Sequence, residues 1–294
     1  MIIEGDQCLS GTLAGSVVRY FAEMCDRDPR LAAIGSELMR SDLTDIEQAM
    51  LLNQFKTIAA HITYADLKKW GVVDDSLIMS GLDRQFVVQK KEVQFVEGQR
   101  VEIPELVCDM VVLKDRQGNE FAYPVGVSQK QVLISAVEAS KVVQELPAYL
   151  RKGIERVSFY NTYCRADKYW KLEYKNPSHV SAATDGGKVS FWEVTRGMSK
   201  EQFKVYLSHE AAHILDSGHK YSNMSEWRSV MSEDAKLAAN GKAEAFPTEY
   251  AATNACEDFA ESMMMFLNDR KKLKEICPNR EHFLHELTKR LGKR

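Results

Sequence analysis

His209 and His213 stand four residues apart with Glu210 beside the first, in the run His209-Glu210-Ala211-Ala212-His213. On a helix, residues four apart lie on one face a turn from each other, so both imidazoles can reach a single ion. Glu210 is then placed to act as general base toward a water activated there. The flanking residues favour that helix. Ser199 with Gln202 three residues on makes a capping-box pattern, Phe203, Leu207, Ala211 and Ile214 form a core-facing stripe, and Gly218 suits a terminator. Ahead of it, Gly186-Gly187 introduces the alternating run Lys188-Val189-Ser190-Phe191-Trp192-Glu193-Val194, which reads as a strand. The chain has seven histidines in 294 residues. Chance would supply His-Glu-x-x-His in roughly one chain in a hundred of this size. The competing reading, two polar histidines on an exposed face, fits poorly with a mid-helix position just after a strand.

A catalytic zinc takes three protein ligands and keeps a fourth position open. Two residues compete for the third place. His219 lies ten residues beyond His209, the third-ligand spacing of the metzincins. That family needs a glycine where this chain has Asp216, and no convincing Met-turn follows, since Met224 comes five residues after His219. The other candidate is Glu257, in Asn254-Ala255-Cys256-Glu257-Asp258-Phe259-Ala260-Glu261-Ser262. This segment has a capping Asn254 or Thr253, acids in its first turn and the apolar run Met263-Met264-Met265-Phe266-Leu267. Glu257 and Glu261 share a helix face, and two carboxylates so close repel unless a positive centre sits near them. A solvated acidic face is the alternative. Cys256, beside Glu257, points about 100° away from it on a helix and reads as a packing residue.

Tyr250-Ala251-Ala252-Thr253-Asn254-Ala255-Cys256-Glu257-Asp258-Phe259-Ala260-Glu261, taken with His209 to His213 and Asp216, resembles the lethal-factor-like zinc metalloproteases. These include the catalytic domain of anthrax lethal factor and the proline-proline endopeptidases. The resemblance is specific over about 205–267, extends over 126–294 and has no counterpart in 1–125. It implies a zincin-like fold with His209, His213 and Glu257 as zinc ligands and Glu210 as general base. Glu261 would hold a ligand histidine in the right tautomer, and Tyr250 would donate a hydrogen bond to the oxyanion or leaving group. The toxin's entry domains find no room here, so delivery into host cells does not carry over.

Periodicity divides the rest. Residues 1 to about 70 read as helical, with a capping box at Thr44-Asp45-Ile46-Glu47 and a face marked by Ile46, Met50, Phe55, Ile58 and Ile62. Strand patterns follow to about 125, among them a hairpin through Asp115-Arg116-Gln117-Gly118-Asn119. Ser128 opens a helical stretch to about Glu145, closed by Pro147. The expected organisation is an N-terminal helical then β-rich region, 1–125, of unknown role, and an α+β catalytic domain, 126–294.

The expected activity is zinc-dependent endopeptidase action on a protein substrate bound in extended form. The strand at 188–194 would be the sheet edge lining the cleft, with Phe191 and Trp192 as candidate substrate contacts. The alternatives are a metzincin-type protease using His219 and a non-catalytic, zinc-containing binding or assembly protein. A net charge of −3 gives no general reason to bind nucleic acid. No apolar run approaches the roughly 18 residues of a membrane span, and the first residues lack a signal-peptide pattern. The expected location is soluble, in the cytoplasm of the producing cell or exported by a leaderless route. Six scattered cysteines without a Cys-x-x-Cys pair read as reduced thiols, mostly buried.

Overall fold

The computed structural model describes residues 28–38, 42–44, 46, 47, 50, 51, 54, 57, 58, 77–115, 117–124, 134, 136–160, 162–175, 178–195 and 197–293. The chain is a mixed α and β protein that divides into two compact units. They are not consecutive halves. One comprises Met1–Lys141, Arg156–Ser181 and Ser190–Met198, the other Val142–Glu155, Ala182–Val189 and Ser199–Arg294. The boundary expected near residue 126 falls among residues outside the described set.

In the first unit, α1 (Pro29–Leu38) is helical. The capping box at Thr44 forms: Thr44 N and Oγ1 donate to Glu47 Oε2 at 2.8 and 2.6 Å, and Glu47 N donates to Thr44 Oγ1 at 3.3 Å. The apolar face expected after it is not a core face, for Ile46 and Met50 are 74% and 60% exposed. Phe55 and Ile62 lie outside the described residues.

Strand β1 (Leu77–Gln89) pairs antiparallel with β4 (Leu106–Asp115), and β4 with β5 (Glu120–Pro124). Between β1 and β4 the chain makes a two-stranded ribbon, β2 (Glu92–Val96) and β3 (Gln99–Ile103). Its turn residues Glu97 and Gly98 both have positive φ, the backbone that closes tight hairpins without splaying the strands. The expected hairpin at 115–119 is present. Asp115 Oδ1 accepts from Gln117 N and Asn119 N at 3.0 and 2.9 Å, so one carboxylate satisfies the turn. β5 runs parallel to β6 (Arg156–Phe159). Stacked rings of Tyr123, Phe159 and Phe191 fill one cluster, and Met110, Val112, Ala122, Tyr160 and Trp192 another.

Among the described residues the six-stranded sheet has the order β1–β4–β5–β6–β8–β7, with β7 (Ala182–Asp185) at the edge and β8 (Lys188–Phe191) inside. The strand expected at 188–194 is therefore shorter and is not an edge. It ends at Phe191 because the next donors turn away: Trp192 N bonds Ser181 O and Glu193 N bonds Thr162 O. Glu193–Thr195 then coil into a 3₁₀ turn.

Helix α2 (Ala136–Glu145) begins later than the Ser128 expectation, whose first residues are outside the described set. Pro147 ends that stretch as expected and caps the short α3 (Ala148–Arg151); α4 (Asp167–Glu173) belongs to the first unit.

The second unit is dominated by helices: α5 (Lys200–His219), α6 (Ser225–Ala239), α7 (Ala255–Asn268), α8 (Arg270–Ile276) and α9 (Pro278–Leu291). The Ser199–Gln202 capping box forms reciprocally. Phe203, Leu207 and Ala211 are buried as the stripe predicts, while Ile214 is half-buried. A Cβ on Gly153 would stand 2.6 Å from Ile214 Cγ2, so the absent side chain lets that backbone approach α5. The helix runs past Gly218 and ends at Lys220, which takes the left-handed conformation with φ 57°. β7 packs against α5, and α7 packs along α5 and brings Glu257 to the His209–His213 turn.

Candidate metal centre

Two helices supply the site. On α5, His209 and His213 project one turn apart, and their Nε2 atoms come within 2.9 Å of each other. On α7, Asn254 caps the first turn by accepting from Cys256 N and Glu257 N at 2.9 and 3.0 Å. This fixes where Glu257 leaves the helix. Its Oε2 lies 3.1 Å from His213 Nε2 and 3.3 Å from His209 Nε2. Asn268 Nδ2, at the far end of α7, donates to Ser208 Oγ at 3.2 Å and ties the two helices beside the first histidine.

The three donor atoms form a triangle with edges of 2.9, 3.1 and 3.3 Å. A tetrahedral ion with bonds of about 2.0–2.1 Å separates its ligand atoms by about 3.3–3.4 Å. The triangle therefore fits a small tetrahedral divalent cation with slight opening. The chemistry of the donors agrees: lone pairs of two imidazoles and a carboxylate aimed at one point repel unless a cation lies there. These residues could hold a metal ion.

The electrostatics of the bare site express the same demand. Burial opposes a charged His209, but contacts with the Glu257 and Glu261 carboxylates outweigh it and push the imidazole up to about 10. His213 follows for the same reasons, with burial opposed by Cys256 and Glu257, and reaches about 9. Burial would raise Glu257, yet its two histidine partners bring it down to about 2. Without a metal, the cluster thus retains positive charge as protons.

Glu210 is buried, at 5% exposure. Burial pushes its carboxyl up, the neighbouring histidines pull it down, and Glu257 adds to the rise. Such a carboxyl is a stronger base than a solvated one.

His209 Nδ1 lies 2.7 Å from Glu261 Oε1, so the expected partner of a ligand histidine stands beside it. The distance is that of a hydrogen bond while the angle at the ring nitrogen is off line, which makes the contact electrostatic first. Thr248, which the sequence reading does not single out, donates to Glu261 Oε2 at 2.7 Å and accepts from Ala251 N at 3.1 Å. That hydroxyl turns the chain into the 3₁₀ segment Tyr250–Thr253, and the Tyr250 ring centroid comes 6.0 Å from that of His209. The hydroxyl-to-i+3 amide pattern is a local signal that could have marked Thr248.

Other expectations fare differently. His219 is exposed on the last turn of α5, 5.2 Å ring to ring from Tyr221, and is not in the donor triangle. Phe191 and Trp192, expected as candidate substrate contacts, are core residues at 1% and 5% exposure, stacked on Phe159 and Tyr160. Cys256 does not pack as expected. It is exposed, with Sγ 3.4 Å from His213 Nδ1.

Behind α7, Arg280 is fully buried between Asp234 and Asp258, at 2.9 and 3.0 Å. The guanidinium Nη2 also donates to Ala245 O at 3.1 Å. Burial pushes Asp258 up to about 6 despite Arg280, and the Asp234 charge adds to the rise. No helix among the described residues is long and apolar enough to cross a membrane. The sequence matches no protein-family model and no curated protein.

Proposed function

We propose that this chain is a zinc-dependent endopeptidase of the lethal-factor-like kind, with a zincin-like catalytic fold. The observation that carries the reading is the His209–His213–Glu257 triangle, whose edges suit a tetrahedral ion and whose two histidines share a helix turn with a buried Glu210.

Bound zinc would supply Lewis acidity toward a carbonyl and lower the pKa of a water. His209, His213 and Glu257 would hold the ion. The Glu261 carboxylate, 2.7 Å from His209 Nδ1, electrostatically favours the tautomer protonated there, which leaves Nε2 free to ligate. Glu210 takes the proton of the attacking water and later passes it to the leaving amine. Tyr250 donates from its hydroxyl to the oxyanion that develops at the scissile carbonyl. The substrate is a protein or peptide segment bound in extended form. Among the described residues β7 is the edge strand of its sheet, and such an edge would offer main-chain hydrogen bonds to an added strand. The core positions of Phe191 and Trp192 leave side-chain selection to other residues.

The test is metal analysis followed by cleavage of a peptide library with and without a chelator, with Glu210→Ala as control. One zinc per chain and chelator-sensitive cleavage that Glu210→Ala abolishes, with zinc retained, are expected. Cleavage at the wild-type rate by Glu210→Ala would overturn the mechanism.

A further inference from the structure

The two histidines of the triangle are held from behind by different means. A histidine that ligates through Nε2 carries its proton on Nδ1, and that proton needs an acceptor. For His209 the group behind is the Glu261 carboxylate, 2.7 Å from Nδ1 but off the hydrogen-bond line, so its hold is electrostatic. For His213 it is sulfur: Cys256 Sγ stands 3.4 Å from Nδ1. The same sulfur lies 3.5 Å from Asp216 Oδ2. Both are ordinary distances for hydrogen bonds to the larger sulfur atom. Asp216 is buried and anchored in turn, its Oδ1 accepting from Ser222 N at 2.8 Å and its Oδ2 from Ser222 Oγ at 2.6 Å. Its main-chain oxygen accepts from Lys220 N at 2.6 Å, which closes α5.

We infer that Cys256 is a positioning residue for the metal ligand His213, accepting from His213 Nδ1–H and donating its own S–H to the buried carboxylate of Asp216. The inference rests on the zinc reading above. The thiol suits the place because it is both acceptor and donor, so it can relay an anchor from a carboxylate too distant to meet the imidazole. It is not itself a fourth ligand, since it meets the ring nitrogen opposite the one in the triangle. The relay couples the C-terminal end of α5 to the ligand set: Ser222 fixes Asp216, Asp216 orients the thiol, and the thiol holds the ring.

The experiment compares wild type, Cys256→Ala and Cys256→Ser by zinc dissociation constant, by the visible spectrum of the cobalt(II)-loaded protein, and by melting of the metal-free protein. Loss of a partner behind a ligand commonly weakens metal binding by about 10–100-fold. Cys256→Ala should weaken zinc by about tenfold and shift the cobalt bands, with the metal-free melting temperature unchanged. Cys256→Ser keeps a donor and acceptor and should restore affinity to within about threefold and return the bands. Equal zinc affinity in wild type and Cys256→Ala overturns the relay. So does a sulfur-to-cobalt charge-transfer band in wild type that Cys256→Ala removes, because the thiol would then be a ligand. A wild type that binds no zinc overturns the functional reading and the relay together. A wild type that binds zinc yet cleaves nothing overturns the functional reading alone, and the affinities still decide the relay.

Discussion

At the scale of single residues, the hydroxyl of Tyr250 separates packing from catalysis. Its ring lies 6.0 Å from that of His209, on a turn held by Thr248. Packing would be almost indifferent to loss of one oxygen, whereas an oxyanion donor would not be. Removing one such donor costs a factor of about 10²–10³ in turnover, or about 3–4 kcal/mol. Tyr250→Phe should lower kcat by that order with KM little changed, because the interaction strengthens as charge develops. Wild-type turnover in this variant would remove Tyr250 from the mechanism. The third ligand is decided by metal content. Glu257→Ala should lose zinc far more than His219→Ala, since Glu257 touches both histidines and His219 touches neither. The reverse result would assign the metzincin alternative. The histidine pair is legible in the amino-acid sequence because helix spacing sets it, whereas Glu257, 44 residues from His213, is reached through the lethal-factor-like resemblance and its pairing with Glu261. The role of Cys256 is not legible in that way. Its partners, His213 and Asp216, are 43 and 40 residues away, and helix geometry relates it only to its own neighbours.

At the scale of elements, local signals succeed where the partner is three or four residues distant. The Ser199 capping box is one, and the Asp115–Asn119 turn another. They fail where a distant group intervenes. Gly218 does not end α5, because Asp216 binds Ser222 and Lys220 N and so carries the helix to a left-handed Lys220. The strand after Gly187 stops three residues short because Ser181 and Thr162 capture the main-chain donors of Trp192 and Glu193. Arg280 also escapes a sequence reading, since its carboxylates are 46 and 22 residues off. It joins α6, α7 and α9, and Asp258 is the residue after Glu257. Removing one partner of a buried ion pair strands the others, at a cost of about 3–5 kcal/mol. Arg280→Met should destabilise the protein by that amount in urea unfolding. A loss below about 1 kcal/mol would mean that the carboxylates neutralise freely and that the arginine only fills space.

At the scale of the whole molecule, every donor of the triangle belongs to the second compact unit, so the metal's effect on stability should be confined there. Zinc at a hundred times its dissociation constant would stabilise that unit by about 2.7 kcal/mol. Without zinc, protons occupy its place, which gives the metal-free protein its own pH dependence. The histidines at about 10 and about 9 lie above their unfolded value of 6.5. A group raised on folding stabilises fully below its unfolded value, and that contribution disappears as pH climbs through the folded one. Metal-free protein should therefore lose stability as pH rises through about 9 to 10. Zinc-loaded protein should lose less over that window, because its imidazoles have already surrendered the ligating nitrogens' protons. Lysines, tyrosines and thiols titrate in the same range, so the control is Glu257→Gln, which removes the carboxylate that favours the protonated histidines. Thermal melts of the three species from about pH 7 to about pH 10.5 decide the matter. If metal-free wild type and Glu257→Gln decline in parallel, Glu257 does not hold a proton on the histidines of the triangle. If metal-free wild type alone steepens above about pH 9 and zinc abolishes that extra slope, one site binds either the protons or the metal.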